Sequence, residues 1–130
     1  MPYKVEWLVD KRVVLSTYEG LMTMEDARGQ VREANVLLRQ GIPLTHSIVD
    51  MSKVEKFPSL QLASEFMSTD MTEIREKLGW TIVVTNNKLL KFASSLFVPM
   101  FKVRQRLFGS MDEALAFLQD EDSTLPSMKK

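Results

Sequence analysis

The chain has 130 residues, is 45% hydrophobic, and balances 17 basic against 17 acidic side chains. That size and apolar content suit one domain burying roughly two-thirds of its unfolded surface. Zero net charge argues against a nucleic-acid binder, which carries a clear basic excess, and the lack of cysteine excludes a disulfide frame, a thiolate nucleophile and a sulfur-ligated metal.

Lys4, Glu6, Asp10, Lys11 and Arg12 interrupt the start of the chain, so no secretory signal is read there. The longest uncharged apolar run, Phe92 to Phe101, is roughly half a membrane span and contains Pro99. A cytoplasmic protein is the simplest expectation. Tyr3, Val5, Trp7 and Val9 alternate with Lys4, Glu6 and Leu8 at a strand period. After a short turn at Asp10-Lys11, the run RVVLSTYE from Arg12 to Glu19 predicts a hairpin partner, ended by Gly20. Thr23 suits the N-cap of a first helix, with Asp26 reaching back in a capping box. Met24, Ala27, Val31, Ala34 and Leu38 form its buried stripe, and Gly41 suits its C-terminus.

Pro43 resets the chain into a strand, LTHSIVDM. Pro58 opens a second helix marked by Leu60, Ala63, Met67, Ile74 and Leu78 and capped by Gly79. WTIVVT, from Trp80 to Thr85, reads as a central parallel strand buried on both faces. A third helix spans Lys88 to Phe101, and VRQRLF, from Val103 to Phe108, alternates as the last strand. Ser110 caps a fourth helix with Glu113 in the capping-box position and Met111, Ala114, Leu115 and Leu118 facing inward. Residues 120–130 are polar and expected to fray, which gives a domain over 1–122 and a flexible tail over 123–130. The order β-β-α-β-α-β-α-β-α predicts an α/β fold: a mixed five-stranded sheet whose first strand runs antiparallel.

Four stretches carry a resemblance: YEGLMTMEDA at the hairpin exit, SIVDMSKVEKF through the third strand, LGWTIVVTNN, and RLFGSMDEALAFL at the end. In order and spacing they resemble the STAS domain of anti-sigma-factor antagonists, and more closely the bacterial SpoIIAA-like (STAS/SEC14-type) family. The resemblance implies a regulatory domain that binds other proteins. It also implies a switch: antagonists carry Asp-Ser-Ser-Gly at the start of the helix after the third strand, and the second Ser is phosphorylated. The corresponding stretch here is FPSL, with Pro58 for the Asp, Ser59 at the first Ser and Leu60 at the phosphorylated position. The phosphoserine switch is therefore not carried over, and Ser59 reads as a polar residue in the first turn of a helix.

The sequence offers no catalytic set. His46 is the single histidine, so it lacks the partners of a zinc site or a nucleophile–base pair and reads as structural or surface. The five glycines are isolated, so no phosphate-binding loop exists. No cofactor is expected. Trp7 and Trp80, both in strands, are expected in the core. Ligands of open α/β sheets sit beyond the carboxyl ends of the strands, which makes Glu19, Asp50, Ser52, Asn86, Asn87 and Ser110 the candidate rim of a small-molecule site. The same residues are also ordinary caps and loop positions. Glu19 and Asp50 could pair as acid and base only if the fold joins them.

The stretch NNKLLKFASSLFVPMFKVRQR, residues 86–106, is apolar over more than the usual helical stripe. Leu89, Phe92, Ala93, Leu96 and Met100 can cover a sheet, which leaves Leu90, Phe97 and Phe101 as a second face beside Lys91. From Lys77 to Met111 every charge is positive, and from Asp112 to Asp122 every charge is negative. Three occupants compete for this face: a second copy in a homodimer, the membrane surface, or the chain's own last helix. The first is the leading expectation, beside an unknown protein partner and no nucleic acid. The function expected is a non-enzymatic regulatory module, against the alternative of a SEC14-like carrier or sensor of a lipid or other apolar small molecule.

Overall fold

The computed structural model describes residues 3–21, 23–42, 44–56, 78–86 and 105–126. Strand β1 (Tyr3–Val9) and strand β2 (Val13–Leu21) form the predicted antiparallel hairpin. The turn closes with the Arg12 N–H donating to Val9 O at 2.9 Å, and Lys11 takes the left-handed conformation, φ 60°. A non-glycine residue there is strained by about 1–2 kcal/mol, but its carbonyl accepts the Ile42 N–H at 2.9 Å and is fixed by it. Gly20 does not end β2. It sits inside the strand at φ 74°, next to a register shift, where the chain needs a residue without a Cβ.

Helix α1 (Met24–Gln40) begins in the expected capping box: the Asp26 N–H donates to Thr23 Oγ1, and the Thr23 N–H donates to Asp26 Oδ2. Gly41 closes the helix in an extended conformation rather than a left-handed one. A side chain there would run into Thr45 Oγ1 and the Lys11 carbonyl. Strand β3 (Thr45–Lys56) runs five residues past the predicted end at Met51. Strand β4 is Leu78–Val84, strand β5 is Gln105–Phe108, and helix α2 is Met111–Glu121. Leu78 and Gly79, expected to finish a helix, instead start β4. The rest of the second predicted helix, the third predicted helix, and Ser59, Asn87, Leu90, Lys91, Phe97 and Phe101 lie outside the described residues.

The sheet order is β1-β2-β3-β4-β5, antiparallel in the first pair and parallel in the other three. Alternation along β2 divides the core. Val13 and Leu15 join Ile48, Ile82, Val84 and the Ala114, Leu115 and Leu118 face of α2. Val14, on the opposite face, meets Ala34 and Leu38 of α1, with Val5, Trp7 and Leu37 beside them. Both tryptophans pack in these clusters, Trp7 under α1 and Trp80 under α2.

Part of the stretch expected as a tail, residues 120–126, is described. The chain turns after α2, the Leu125 N–H donates to Asp122 O, and the Leu125 side chain is buried in the α2 cluster. Ile82, Val83 and Val84 are all buried, as a strand covered on both faces requires. Ile82→Ala and Val83→Ala remove methyl groups from opposite faces of β4. Each is expected to lower unfolding free energy in urea by about 2–4 kcal/mol, and a near-neutral result for either would mean that its face is open to water.

Candidate functional site

Polar side chains gather at the two ends of the sheet and under α1. At the carboxyl ends of the parallel strands lie the rim residues. Asp50 is 6% exposed, and its Oδ1 accepts both the Ser52 N–H at 3.0 Å and the Ser52 hydroxyl at 2.6 Å. Glu19 stands opposite Lys53 across β2–β3, 3.7 Å from its ammonium. Both side chains are solvated, so the pair contributes little. Asn86 Nδ2 donates to Gly109 O at 3.3 Å, tying the end of β4 to the turn before α2, where the Ser110 hydroxyl accepts the Glu113 N–H. The structure thus joins Asp50 to Ser52 and Asn86 to the β5–α2 turn. Glu19 thus faces Lys53 and Asp50 bonds Ser52, each carboxylate on a partner other than the second carboxylate.

Under α1, Tyr18, Ser16 and Gln30 form a buried chain. The Tyr18 hydroxyl donates to Gln30 Oε1 at 3.1 Å, and Gln30 Nε2 donates to Ser16 Oγ at 2.8 Å. Burial pushes the Tyr18 phenol well above its ordinary value, so it stays a neutral donor. Gln30 was legible in principle: it falls on the same helical stripe as Ala34 and Leu38, a polar residue among apolar ones.

At the amino end of β3, His46 is 3% exposed and both ring nitrogens are engaged. Nδ1 accepts the Trp80 N–H at 2.9 Å, so the neutral ring carries its proton on Nε2, which donates to Asp122 Oδ2 at 2.9 Å. Two local features of β4 make room for the ring. The ladder between β3 and β4 slips by one residue between Thr45 and Ser47, which leaves Gly79 and Trp80 opposite His46. A Cβ on Gly79 would fall 2.7 Å from His46 Cε1 and closer still to Nδ1. The imidazole thus fills the space of the missing side chain and accepts the Trp80 N–H at the bulge.

Asp122 is the hub on the other side. Arg12 Nη2 donates to its Oδ2 at 3.1 Å and to Thr124 Oγ1 at 2.5 Å, while Thr124 bonds Asp122 Oδ1 through both its N–H, at 3.1 Å, and its hydroxyl, at 2.5 Å. The Thr124 hydroxyl first, and His46 second, pull the Asp122 carboxyl down from 3.8 to about 2. This cluster clasps the chain after α2 onto the start of β2 and β3. It is a structural role for His46, as its isolation in the sequence suggests. Its partners were invisible there because Arg12, Trp80 and Asp122 are 34 to 110 residues away in sequence from one another or from His46.

Among the described residues no group of three or more His, Cys, Asp or Glu is placed to hold a metal ion, and no helix is long and apolar enough to cross a membrane.

A five-stranded mixed sheet with this order, with α1 on one face and α2 on the other, is a SpoIIAA-like, STAS-type α/β fold. Solved structures match it over nearly the whole chain. A protein of the DUF3478 family from Shewanella loihica, described as uncharacterized with a SpoIIAA-like fold, aligns with TM-score 0.60 and 15% identity over 89% of this chain and 91% of its own. An anti-sigma factor antagonist from Mycobacterium paratuberculosis aligns with TM-score 0.58 and 18% identity over 91% of this chain and 93% of its own. At such identities the likeness is one of fold. No protein-family model and no curated protein sequence matches the chain.

Two predictions follow from the clasp. Gly79→Ala should destabilise the protein in wild type and be nearly neutral in a His46→Ala background, where the colliding ring is gone. Additive losses in urea denaturation of the four proteins would show that the ring is not what Gly79 accommodates. The second concerns Asp122, whose folded-state value lies below its unfolded one. Its stabilisation is therefore complete above 3.8 and lost as pH falls towards about 2. The stability gap between wild type and Asp122→Asn should close as pH falls from 3.8 towards about 2.

Proposed function

We propose that the chain is a non-enzymatic, homodimeric regulatory module of the cytoplasm that works by binding another protein. The observation that supports this most is the near-complete alignment with an anti-sigma factor antagonist, a protein whose task is to act on another protein. The polar clusters fit the same reading. The single histidine is held on both nitrogens by the clasp, and the Asp50 carboxylate is occupied by Ser52.

We give the apolar face of Leu90, Phe97 and Phe101 beside Lys91 to the partner protein instead of the second copy that the sequence favours there, because three large side chains left in water would each forfeit about 1.5–3 kcal/mol relative to burial and any protein partner that covers them recovers it. Regulation runs without the family's phosphoserine, since Leu60 occupies its place. Ser59 is then only a residue of a helix start.

Affinity capture from the native cell, with wild type, Phe97→Glu and Ser59→Ala as baits, tests this reading. A protein retained by wild type and by Ser59→Ala but lost with Phe97→Glu supports it, and Ser59→Ala should cost about 1 kcal/mol of stability or less. A partner lost with Ser59→Ala, or Ser59 phosphorylated in cells with binding abolished by Ser59→Asp, would restore the switch. Native mass spectrometry showing a stoichiometric lipid, with no protein retained, would replace the module with a carrier.

A further inference from the structure

Strand β1 is an edge of the sheet, and among the described residues nothing pairs with its outer side. Its described part is regular up to one register shift. Five consecutive residues, Tyr3 to Trp7, pair in step with β2 before the register shift between Trp7 and Val9. On one face Tyr3, Val5 and Trp7 lean towards α1. On the other, Lys4 and Glu6 are exposed and paired with each other at 3.0 Å.

We propose that this edge is the contact between two copies of the chain, joined antiparallel about a two-fold axis at Val5 into one continuous sheet. The inference rests on the homodimer of the preceding section and gives it a surface, leaving the Leu90, Phe97 and Phe101 face to the partner protein.

The pleat and the charges select this register. Antiparallel neighbours directly opposite each other share a face, so an axis on a residue keeps apolar against apolar, whereas an axis between residues would set the apolar face against the charged one. An axis at Lys4 or Glu6 would oppose like charges. The axis at Val5 sets Lys4 against Glu6 of the second copy, Glu6 against its Lys4, and Tyr3 against its Trp7, all favourable cross-strand pairs.

The helix layer agrees. α1 is seated on β1 and β2. With strands about 4.8 Å apart, the two copies of α1 would flank the axis about 10 Å from each other, the spacing of packed helices. The flank of α1 on that side is already marked. The Tyr3 phenol reaches Gly29, where an added Cβ would lie 2.5 Å from its oxygen, and it bonds Glu33. Val36, on the same stripe, is a large apolar residue left 50% exposed. A second copy would cover it.

Alternating charges on an edge strand also serve to repel other strands, and a charge swap separates the two roles. In sedimentation, wild type should be a dimer. Lys4→Glu and Glu6→Lys each oppose like charges twice and should weaken association about tenfold or more, with circular dichroism unchanged because both sites are exposed. An equimolar mixture of the two variants restores every pair and should recover the dimer, as should the double variant Lys4→Glu/Glu6→Lys. The contact is overturned by a monomeric wild type, by single variants that associate as wild type does, by stronger association of Lys4→Ala/Glu6→Ala, or by loss of the dimer with Phe97→Glu alone. A monomer that still retains its partner protein overturns this contact and leaves the regulatory reading standing. A dimer with this charge dependence that retains none does the reverse.

Discussion

Much of the lower end of this fold hangs on one imidazole. His46 accepts a backbone N–H from β4 and donates to a carboxylate that follows α2. The first bond settles a donor stranded by the bulge, whose burial without a partner would cost about 1–3 kcal/mol. The second brings in Asp122, and with it Arg12, Thr124 and the buried Leu125. Strands β2, β3 and β4 and the chain beyond α2 are therefore tied together at one point. The site tolerates no side chain at position 79 and needs an acceptor at 46 that is also a donor, which neutral histidine supplies.

The second buried polar group does similar work on the other face. Tyr18 and Ser16 of β2 are bonded to Gln30 of α1, so rotating or sliding α1 on β2 would strand polar atoms. Apolar packing of Val14 against Ala34 and Leu38 holds the helix down, and the polar chain sets its position. That position puts Gly29 and Glu33 beside Tyr3 of the outer strand.

The two ends of the sheet are unlike. The amino end of the parallel strands is closed by the clasp, with its charges bonded to each other. The carboxyl end carries Glu19 paired with Lys53 across β2 and β3, Asp50 bonded to Ser52 two residues on, and Asn86 bonded to the adjoining β5–α2 turn. Arg106 lies over the Phe117 ring, 5.0 Å from its centre, so one cation of the basic stretch is placed against the chain's own α2.

Local chemistry in the sequence determined the elements and their order. The hairpin, the Thr23–Asp26 capping box, the Ser110 cap and the doubly buried β4 follow from periodicity and from side chains within a few residues of the backbone they satisfy. Order and periodicity together also implied the α/β sheet with one antiparallel strand. What the sequence misjudged was long-range. Gly79 reads as a helix end because glycine is common there, and only the approach of a ring from β3 makes it a strand residue. Asp122, polar and beyond the last helical stripe, carries no sign in the sequence of the bonds it makes to His46 and Arg12. Polar bonds between residues far apart in the chain leave no period in a sequence, so the tertiary structure alone decided where they form.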